Sequence, residues 1–275
     1  MRCPIDNKIM ILQFSEVVLE KYAVDYYRCP GCGLLQPENP TRWLSEAYST
    51  AITSTDIGLV ARNISNMRRL EPALYRLCEP DAKILDVGGG YGMLCRALRD
   101  RGFDCYTTDI YCENLFAKNY EPGPGSKANV LLAFEVFEHV ADPVAFVEDN
   151  FRKYSPDLMI FSTQTYQTDE APPRDWWYYA LENGQHISLY HRNTIGALGK
   201  KLELHAASLS SELHVLSTRA LTATDLLLLD SGRKLVSRSY GHAIRFLRRR
   251  KSFLAADYEN AKMAARLASK AVKED

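Results

Sequence analysis

The sequence predicts an α/β protein in which a mostly parallel sheet of about seven strands is flanked by helices. Short apolar runs alternate with segments whose apolar residues recur every three or four positions, and this alternation is typical of a parallel sheet. Three of the seven cysteines lie in the first 40 residues, and basic residues accumulate near the C terminus. We therefore expect a small cysteine-rich module at 1–40, the α/β domain at 41–219 and a basic, amphipathic helical tail at 220–275.

The expected elements follow one another along the middle of the chain. Apolar residues spaced by three and four predict a helix from about Ile57 to Cys78, which Pro80 ends. The glycine-rich stretch after Val87 separates a strand from a helix, as in a β-α-β unit. The remaining pattern gives strands at 84–87, 104–108, 130–134, 158–162, 202–207 and 213–217, and helices at 93–100, 143–154 and 193–201.

Composition indicates one soluble catalytic domain with small appendages. The 275 residues are 46% hydrophobic and 25% charged, which is ordinary for a globular protein. No apolar run reaches the roughly 20 residues that a membrane helix needs, and Met1 to Lys8 do not resemble a signal peptide. We expect a cytoplasmic protein whose odd number of cysteines serves as reduced thiols or as a metal site.

The charge is divided unevenly between the tail and the body. From Gly232 to Asp275 there are 12 Lys and Arg against 4 Asp and Glu, and the rest of the chain has 22 against 30. The tail should therefore meet something acidic: the body itself, a partner, an anionic membrane surface or a charged substrate. Its expected helix has one apolar stripe, formed by Val236, Tyr240, Ala243, Ile244 and Leu247.

A strand that ends in an acidic residue and runs into a glycine-rich turn predicts a site for an adenosine-bearing cofactor. Asp86 precedes Gly88, Gly90 and Gly92, and glycines let the backbone approach a ligand closely. A dinucleotide-binding turn would place its third glycine at Met93. The Asp86 carboxylate suits a cationic amino-acid tail, and Asp109, which ends the next strand, could accept the hydroxyls of a ribose.

Two motifs resemble those of the class I S-adenosylmethionine-dependent methyltransferases. Residues 84–94 resemble the first motif of that family, and the string from Phe134 to Pro143, FEVFEHVADP, resembles the motif of its fourth strand. The resemblance covers residues 57–219 and implies a Rossmann-like domain, whose substrates in this subgroup include quinones, small metabolites and sugars. The cofactor-binding residues it implies are Asp86, Gly88, Gly90, Tyr91, Gly92, Asp109 and Glu135.

The candidate catalytic residues follow the predicted strands at 130–134, which corresponds to the family's fourth strand, and at 158–162. Methyl transfer to a hydroxyl needs a base that unmasks the nucleophile. Glu138 and His139 follow the strand at 130–134, at the carboxyl end of the sheet, where ligands of such sheets bind. His186 lies in a later loop. Either histidine suits the role of base, and a purely structural role for His139 stays open.

An aromatic segment in the same loop suits a carbohydrate acceptor. Trp176, Trp177 and Tyr178 could stack on sugar rings, while Gln185 could fix a hydroxyl; a lid that only packs is the alternative. The WWYY run before GQHIS resembles methyltransferases encoded with bacterial surface-glycan enzymes. That resemblance implies O-methylation of a sugar hydroxyl on a polysaccharide or a nucleotide-linked sugar, with His186 or His139 as the base.

The first cysteines have the spacing of half a zinc ribbon. Cys29 and Cys32 form a CxxC knuckle, whereas the upstream half pairs Cys3 with Asp6. Aspartate can bind zinc, although thiolate is commoner in structural sites. The pattern is therefore compatible with a zinc site and also with a vestigial knuckle that binds no metal. The module resembles that of certain sugar C-methyltransferases, which normally carry a further C-terminal domain; we expect this sequence to be too short to contain it, and Asp6 replaces the fourth cysteine. Transfer to oxygen is therefore expected rather than transfer to carbon.

Other classes of function stay open at this point. A nicotinamide-dependent sugar oxidoreductase would use a similar fold, but Met93 argues against it. A non-catalytic partner of a glycosyltransferase would not need the cofactor residues. Nucleic acid is an unlikely substrate, because no base-flipping motif accompanies the basic tail. The tail could instead hold the protein against the inner face of a membrane.

Overall fold

The computed structural model describes residues 1–49, 56–229 and 250–274, with four single positions at 239, 243, 246 and 247. Of the predicted apolar stripe, Val236, Tyr240 and Ile244 lie outside the described residues. The strands are β1 (Ile11–Val18), β2 (Tyr22–Arg28), β3 (Leu35–Pro37), β4 (Lys83–Val87), β5 (Asp104–Thr108), β6 (Val130–Ala133), β7 (Leu158–Ser162), β8 (Thr165–Tyr166), β9 (Tyr190–His191), β10 (His205–Ser208) and β11 (Leu213–Ser217). The helices are α1 (Thr41–Ala47), α2 (Leu59–Leu77), α3 (Met93–Asp100), α4 (Pro143–Tyr154), α5 (Thr194–Lys201), α6 (Ala223–Leu229) and α7 (Leu254–Glu274).

The central sheet has the strand order β10-β11-β7-β6-β4-β5. β5, β4, β6 and β7 run parallel, while β11 pairs antiparallel with both β7 and β10. The sheet is therefore mixed, and the four parallel strands end at the same edge. The loops after β4, β5, β6 and β7 meet at that edge, where an open α/β sheet binds its ligands.

The expectation of seven strands was wrong, because the described sheet has six. The segment between β5 and β6 contains Pro122, Gly123, Pro124 and Gly125, which interrupt any strand. At the β5 edge, one backbone hydrogen bond from the Thr107 N–H to the Tyr120 carbonyl, 2.9 Å long, stands where a further strand would pair.

The predicted strand at 202–207 begins too early. The Leu202 and Leu204 N–H groups donate back to the Gly199 carbonyl at 3.2 and 2.9 Å, which closes the end of α5. Glu203 has a φ of 57°, a left-handed conformation that a strand cannot contain. The strand β10 therefore starts at His205.

Apolar side chains alternate between the two faces of the sheet, as the period of two requires. Ile84, Leu132 and Ile160 are fully buried in the cluster that packs against α2 and α3. Leu131 and Met159 are fully buried in the opposite cluster, which faces α4 and α5. Burial on both faces explains why these strands read as continuous apolar runs.

The N-terminal strands form a separate antiparallel sheet of the order β1-β2-β3 that packs on the α/β domain. Leu35 and Leu189 exchange backbone hydrogen bonds of 2.9 Å. The Thr194 hydroxyl donates to the Cys32 carbonyl at 2.8 Å, and the Trp43 indole donates to the Gly184 carbonyl at 2.8 Å. These contacts attach the cysteine-bearing segment to the loops after β7.

The C-terminal helix α7 docks on the body through a charge pair of unexpected polarity. Asp257 of the tail accepts two hydrogen bonds of 2.8 Å from Arg99 and one of 2.7 Å from Arg96. Arg250 follows the expected sense, because its guanidinium donates to the Cys78 carbonyl at the end of α2. No helix among the described residues is long and apolar enough to span a membrane.

Candidate active site

The turn between β4 and α3 is shaped by its glycines. Gly88, Gly90 and Gly92 all have positive φ angles, and Gly92, at 82°, begins α3 in the left-handed region. A Cβ on Gly89 would stand 2.2 Å from the Thr107 Oγ1 and 2.5 Å from the Asp86 Oδ2. Gly89 was not among the predicted site residues, but close packing requires a glycine there as firmly as the backbone conformation requires one at Gly92.

Asp86 lies beneath this turn as a buried carboxylate with an unused oxygen. It is 2% exposed, and its Oδ2 has no hydrogen-bond partner among the described residues. Burial, helped by the negative charge of Asp109, raises the pKa of Asp86 from 3.8 to about 8. Because an unpaired buried carboxylate is costly, the position is suited to a ligand that brings a cation.

Asp109 fixes the loop on the far side of the turn. Its Oδ2 accepts a hydrogen bond of 2.9 Å from the Gly90 N–H, and its Oδ1 accepts from the N–H groups of Tyr111 and Cys112 at 2.7 and 2.8 Å. The carboxylate therefore orders the turn itself. Its remaining lone pairs are available to hydroxyl donors.

Tyr91 and Glu135 hold neighbouring loops in place. The Tyr91 carbonyl accepts from the Leu115 and Phe116 N–H groups, both at 3.0 Å. Glu135 has a φ of 55° directly after β6, and its carboxylate accepts from the Ser162 hydroxyl at 2.7 Å. Burial among protein atoms and the nearby Glu138 raise the pKa of Glu135.

A cavity of about 650 Å³ opens at the carboxyl edge of the sheet, within the size range of small-molecule sites. It brings together the three groups of residues that the sequence predicted separately: the glycine turn with Asp86, the motif after β6, and the loop that contains Trp177 and His186. The predicted cofactor-binding residues Gly88, Gly90, Tyr91, Asp109 and Glu135 all line it.

Glu138, His139 and His186 form a cluster in the wall of this cavity. One potential ligand atom from each lies within 4.8 Å of the other two, and the two imidazole rings meet edge to face with centroids 5.0 Å apart. Burial, reinforced by His186, lowers the pKa of His139 to about 3. Glu138 is fully buried and burial raises its pKa.

The aromatic segment contributes to the cavity unevenly. Trp177 lines it and is 72% exposed. Tyr178 also lines it, but its hydroxyl accepts from the Gln164 N–H at 3.0 Å. Trp176 packs instead against Tyr166 and Tyr179.

Gln185 uses its side chain for structure and its backbone at the site. Its amide donates to the Ala47 carbonyl at 2.8 Å, which ties the loop to α1. Its carbonyl oxygen lies 3.0 Å from the Nδ1 of His139. The side chain that was expected to fix an acceptor hydroxyl is thus directed towards α1.

Sequence reasoning missed a pair of tyrosines beside the histidines. Tyr48 and Tyr111 stack with centroids 4.2 Å apart and an interplanar angle of 6°, and Tyr48 meets the His139 ring at 6.1 Å. Both line the cavity, as does Arg62 of α2. The position of Tyr111 two residues after Asp109 was a usable signal, whereas nothing in the sequence linked Tyr48 to the site.

The four predicted metal-binding residues of the N-terminal segment do come together. Cys3, Asp6, Cys29 and Cys32 each offer an atom within 4.8 Å of the others. The sulfurs of Cys3 and Cys32 are 3.5 Å apart, and the Cys29 thiol lies 3.1 Å from the Asp6 Oδ1. The hydrogen bond between Cys3 and Cys32 lowers the pKa of Cys3 to about 7 and raises the pKa of Cys32.

Comparison with known protein families finds a match in the middle of the sequence. A family model described as a methyltransferase domain matches residues 60–208, and no curated protein matches the sequence. Among solved structures, the chain is similar to a methyltransferase of calicheamicin biosynthesis in its SAH-bound form, with 12% identity over 55% of this chain and 54% of that one and a TM-score of 0.39.

Two further solved structures are similar to the chain. They are the magnesium protoporphyrin IX methyltransferase of Synechocystis with bound SAH (13% identity, 65% of this chain and 93% of that one, TM-score 0.40) and the mitomycin 7-O-methyltransferase (17%, 64% and 66%, TM-score 0.38). The chain thus spans about half the length of the calicheamicin protein. Since the family model covers more than half of the sequence, the chain belongs to the methyltransferase domain family.

Proposed function

We propose that the protein transfers a methyl group from S-adenosylmethionine to a hydroxyl group of a sugar. The observation that carries the proposal is the buried Asp86 Oδ2, which has no hydrogen-bond donor in the described part of the chain and lies at a glycine turn that opens into a cavity of about 650 Å³. A sheet edge with these features can hold a cofactor and an acceptor side by side. Methyl transfer needs that alignment in a site that excludes water.

The residues of the turn fit S-adenosylmethionine, which when bound supplies an electrophilic methyl group on a sulfonium. Asp86 would receive the ammonium of its amino-acid portion, since a buried carboxylate gains most from a charged donor. The backbone at Gly88 and Gly90 lets the cofactor approach closely, and the spare lone pairs of Asp109 would accept ribose hydroxyls. Met93 stands where a dinucleotide turn needs glycine, which disfavours a nicotinamide cofactor.

The aromatic wall supports a sugar as the acceptor class. The exposed face of Trp177 and the stacked pair of Tyr48 and Tyr111 offer flat apolar surfaces beside polar groups. Sugar rings have an apolar face and a polar rim, so they suit such a wall. The acceptor would be a residue of a bacterial surface glycan or a nucleotide-linked sugar.

The histidines supply the base that the acceptor needs. The Nδ1 of His139 lies 3.0 Å from the Gln185 carbonyl, and the Nδ1 of His186 lies 2.7 Å from the Tyr178 carbonyl. A carbonyl can only accept, so each Nδ1 must carry the proton. Each Nε2 is then left with a lone pair that can take the proton of a hydroxyl.

A structural zinc ion at Cys3, Asp6, Cys29 and Cys32 is a separate part of the proposal. The Cys29 sulfur accepts hydrogen bonds from the Gly31 and Cys32 N–H groups at 3.3 and 3.4 Å, which suits a thiolate in a metal knuckle. The site would tie the start of the chain to the β2–β3 turn, and its test is the zinc content of the purified protein.

The proposal is tested by calorimetric titration with S-adenosylhomocysteine and then with NAD, followed by methyl transfer to a panel of sugars and phenols. We expect the first ligand to bind, NAD not to bind, and sugars to be methylated. Binding of NAD alone would favour a sugar oxidoreductase. Binding of neither ligand would favour a non-catalytic partner of a glycosyltransferase. Methylation of phenols alone would remove the sugar from the proposal.

A further inference from the structure

The cluster of Glu138, His139 and His186 contains a polar group that the proposed base chemistry does not use. Glu138 is 0% exposed, and neither of its carboxylate oxygens has a hydrogen-bond partner among the described residues. Its charged form is favoured most by the neighbouring His186. A base made from either histidine alone gives no reason to bury this carboxylate beside it.

The two histidines are oriented as metal-binding histidines usually are. Each Nδ1 is engaged by a backbone carbonyl, that of Gln185 for His139 and that of Tyr178 for His186. A carbonyl in that position fixes the tautomer and leaves Nε2 unprotonated, which is the common outer-shell arrangement around metal-bound histidine. Two such nitrogens in one cluster exceed what one proton transfer requires.

The backbone holds the three side chains in register. The Glu138 carbonyl accepts hydrogen bonds of 2.8 and 3.0 Å from the N–H groups of Ile187 and Ser188. The segment after β6 is thereby tied to the loop that contains His186. The potential ligand atoms lie within 4.8 Å of one another, and ligands bound to one ion at about 2.1 Å stand roughly 3 to 3.5 Å apart. Rotation of the side chains would have to close that difference when an ion binds.

We propose that Glu138, His139 and His186 bind one divalent first-row transition-metal ion in the wall of the cavity. Two imidazoles and one carboxylate favour ions such as Mn²⁺, Fe²⁺, Co²⁺ or Zn²⁺ over Ca²⁺ or Mg²⁺, which prefer oxygen ligands alone. Three protein ligands leave coordination positions open. Those positions face the space where the acceptor would bind, because all three residues line the cavity.

The ion would also define the acceptor more closely, a consequence that rests on the proposed function. With the ion bound, both Nε2 lone pairs are occupied, so coordination would take the place of the histidine base. A hydroxyl oxygen on the ion has a lower pKa, so it gives its proton to water more readily, and it is fixed in position. Two adjacent open positions would favour acceptors with vicinal hydroxyls, which are abundant in sugars. Metal binding itself does not depend on the cofactor, so it can be measured alone.

The test titrates the full-length protein with Mn²⁺ and follows the loss of the free-ion signal by electron paramagnetic resonance. We expect one bound ion per chain, and binding weakened more than tenfold in His186→Asn and Glu138→Gln. The matched control is His205→Asn, which changes an exposed histidine on β10 and should bind as the unchanged protein does. Binding that is absent from the unchanged protein, or equal in all three variants, would overturn the proposal.

A second measurement covers variants that fail to fold and separates this site from the cysteine cluster. With Co²⁺, proton magnetic resonance should show two strongly shifted exchangeable signals from the Nδ1–H groups of His139 and His186. Cobalt on cysteine gives sulfur charge-transfer absorption instead, and that absorption without the two proton signals would also overturn the proposal. S-adenosylhomocysteine titrated into the metal-free protein reports on the proposed function separately.

Discussion

Replacing Asp86 with asparagine should stabilise the ligand-free protein and weaken its affinity for the cofactor. The pKa of Asp86 is raised from 3.8 to about 8, so the folded protein must take up a proton that the unfolded chain does not bind at pH 7. That uptake costs the fold on the order of 4 kcal/mol at pH 7. Because the pKa is raised, the cost is absent below about pH 4 and grows as the pH rises towards 8.

Asparagine keeps the shape of the side chain and removes the charge. Burying the polar amide offsets part of the free energy gained by avoiding proton uptake. We therefore expect a net stabilisation of about 1–2 kcal/mol and a Tm higher by roughly 2–6 °C at pH 7.5. The loss of an ion pair to the cofactor ammonium should cost about 2–3 kcal/mol, or roughly 30- to 150-fold in the Kd for S-adenosylhomocysteine.

Differential scanning calorimetry and titration calorimetry measure both effects on one preparation. Asp81→Asn is the matched control, because Asp81 is exposed and the same charge is removed outside the cavity. It should change neither quantity appreciably. A lower Tm together with unchanged cofactor affinity in Asp86→Asn would refute the reasoning, since it would mean that Asp86 has a partner within the fold and none in the ligand.

Three further substitutions probe other parts of the account. Gly89→Ala should abolish binding of S-adenosylhomocysteine, because its Cβ would stand 2.2 Å from a buried hydroxyl, whereas Gly196→Ala, with open space around it, should bind normally in the same titration. Asp257→Asn should lower the free energy of unfolding by about 2 kcal/mol in urea melts, since the buried Arg99 loses its pair with Asp257 and keeps only Asp104 as an ionic partner; equal stability would contradict the ion pair. The pKa of Asp257 is lowered to about 2, so its contribution should be present above about pH 4 and lost between pH 4 and 2, which acid melts of both proteins test. Trp177→Ala should raise the KM for the acceptor severalfold without changing the Tm or the cofactor affinity, because Trp177 is 72% exposed. A large loss of cofactor affinity would instead place Trp177 at the cofactor.

Local patterns predicted the elements that position the site. The helices α3 and α4 and the strands β5, β7 and β11 have the predicted bounds, because each is delimited by glycine, proline or a change of period. Asp142 illustrates this, since its carboxylate accepts from the Val144 and Ala145 N–H groups and begins α4. The number of strands in the sheet could not be predicted as firmly, because a segment forms an edge strand only if it pairs with the neighbouring strand.

Contacts between distant segments were beyond the sequence. Tyr48 reaches the site because α1 packs under the loop of Gln185, and no periodicity reports that. The docking of α7 by Asp257 reverses the expected polarity of tail and body, because net charge describes a surface and one buried pair can oppose it. Glu138 was predicted as catalytic, but only the structure shows that, among the described residues, its carboxylate has no hydrogen-bond donor.

Proton release on cofactor binding tests the central claim most directly. Asp86 is mostly protonated at pH 7 in the ligand-free protein, since its pKa is about 8, and must ionise to pair with the cofactor ammonium. Titration calorimetry with S-adenosylhomocysteine in buffers of different ionisation enthalpy should therefore show that binding releases close to one proton per chain at pH 7 and much less than one above pH 9. In Asp86→Asn it should release none. Binding without proton release at pH 7, or release that persists in the variant, would contradict the assignment of Asp86 as the cofactor's anionic partner.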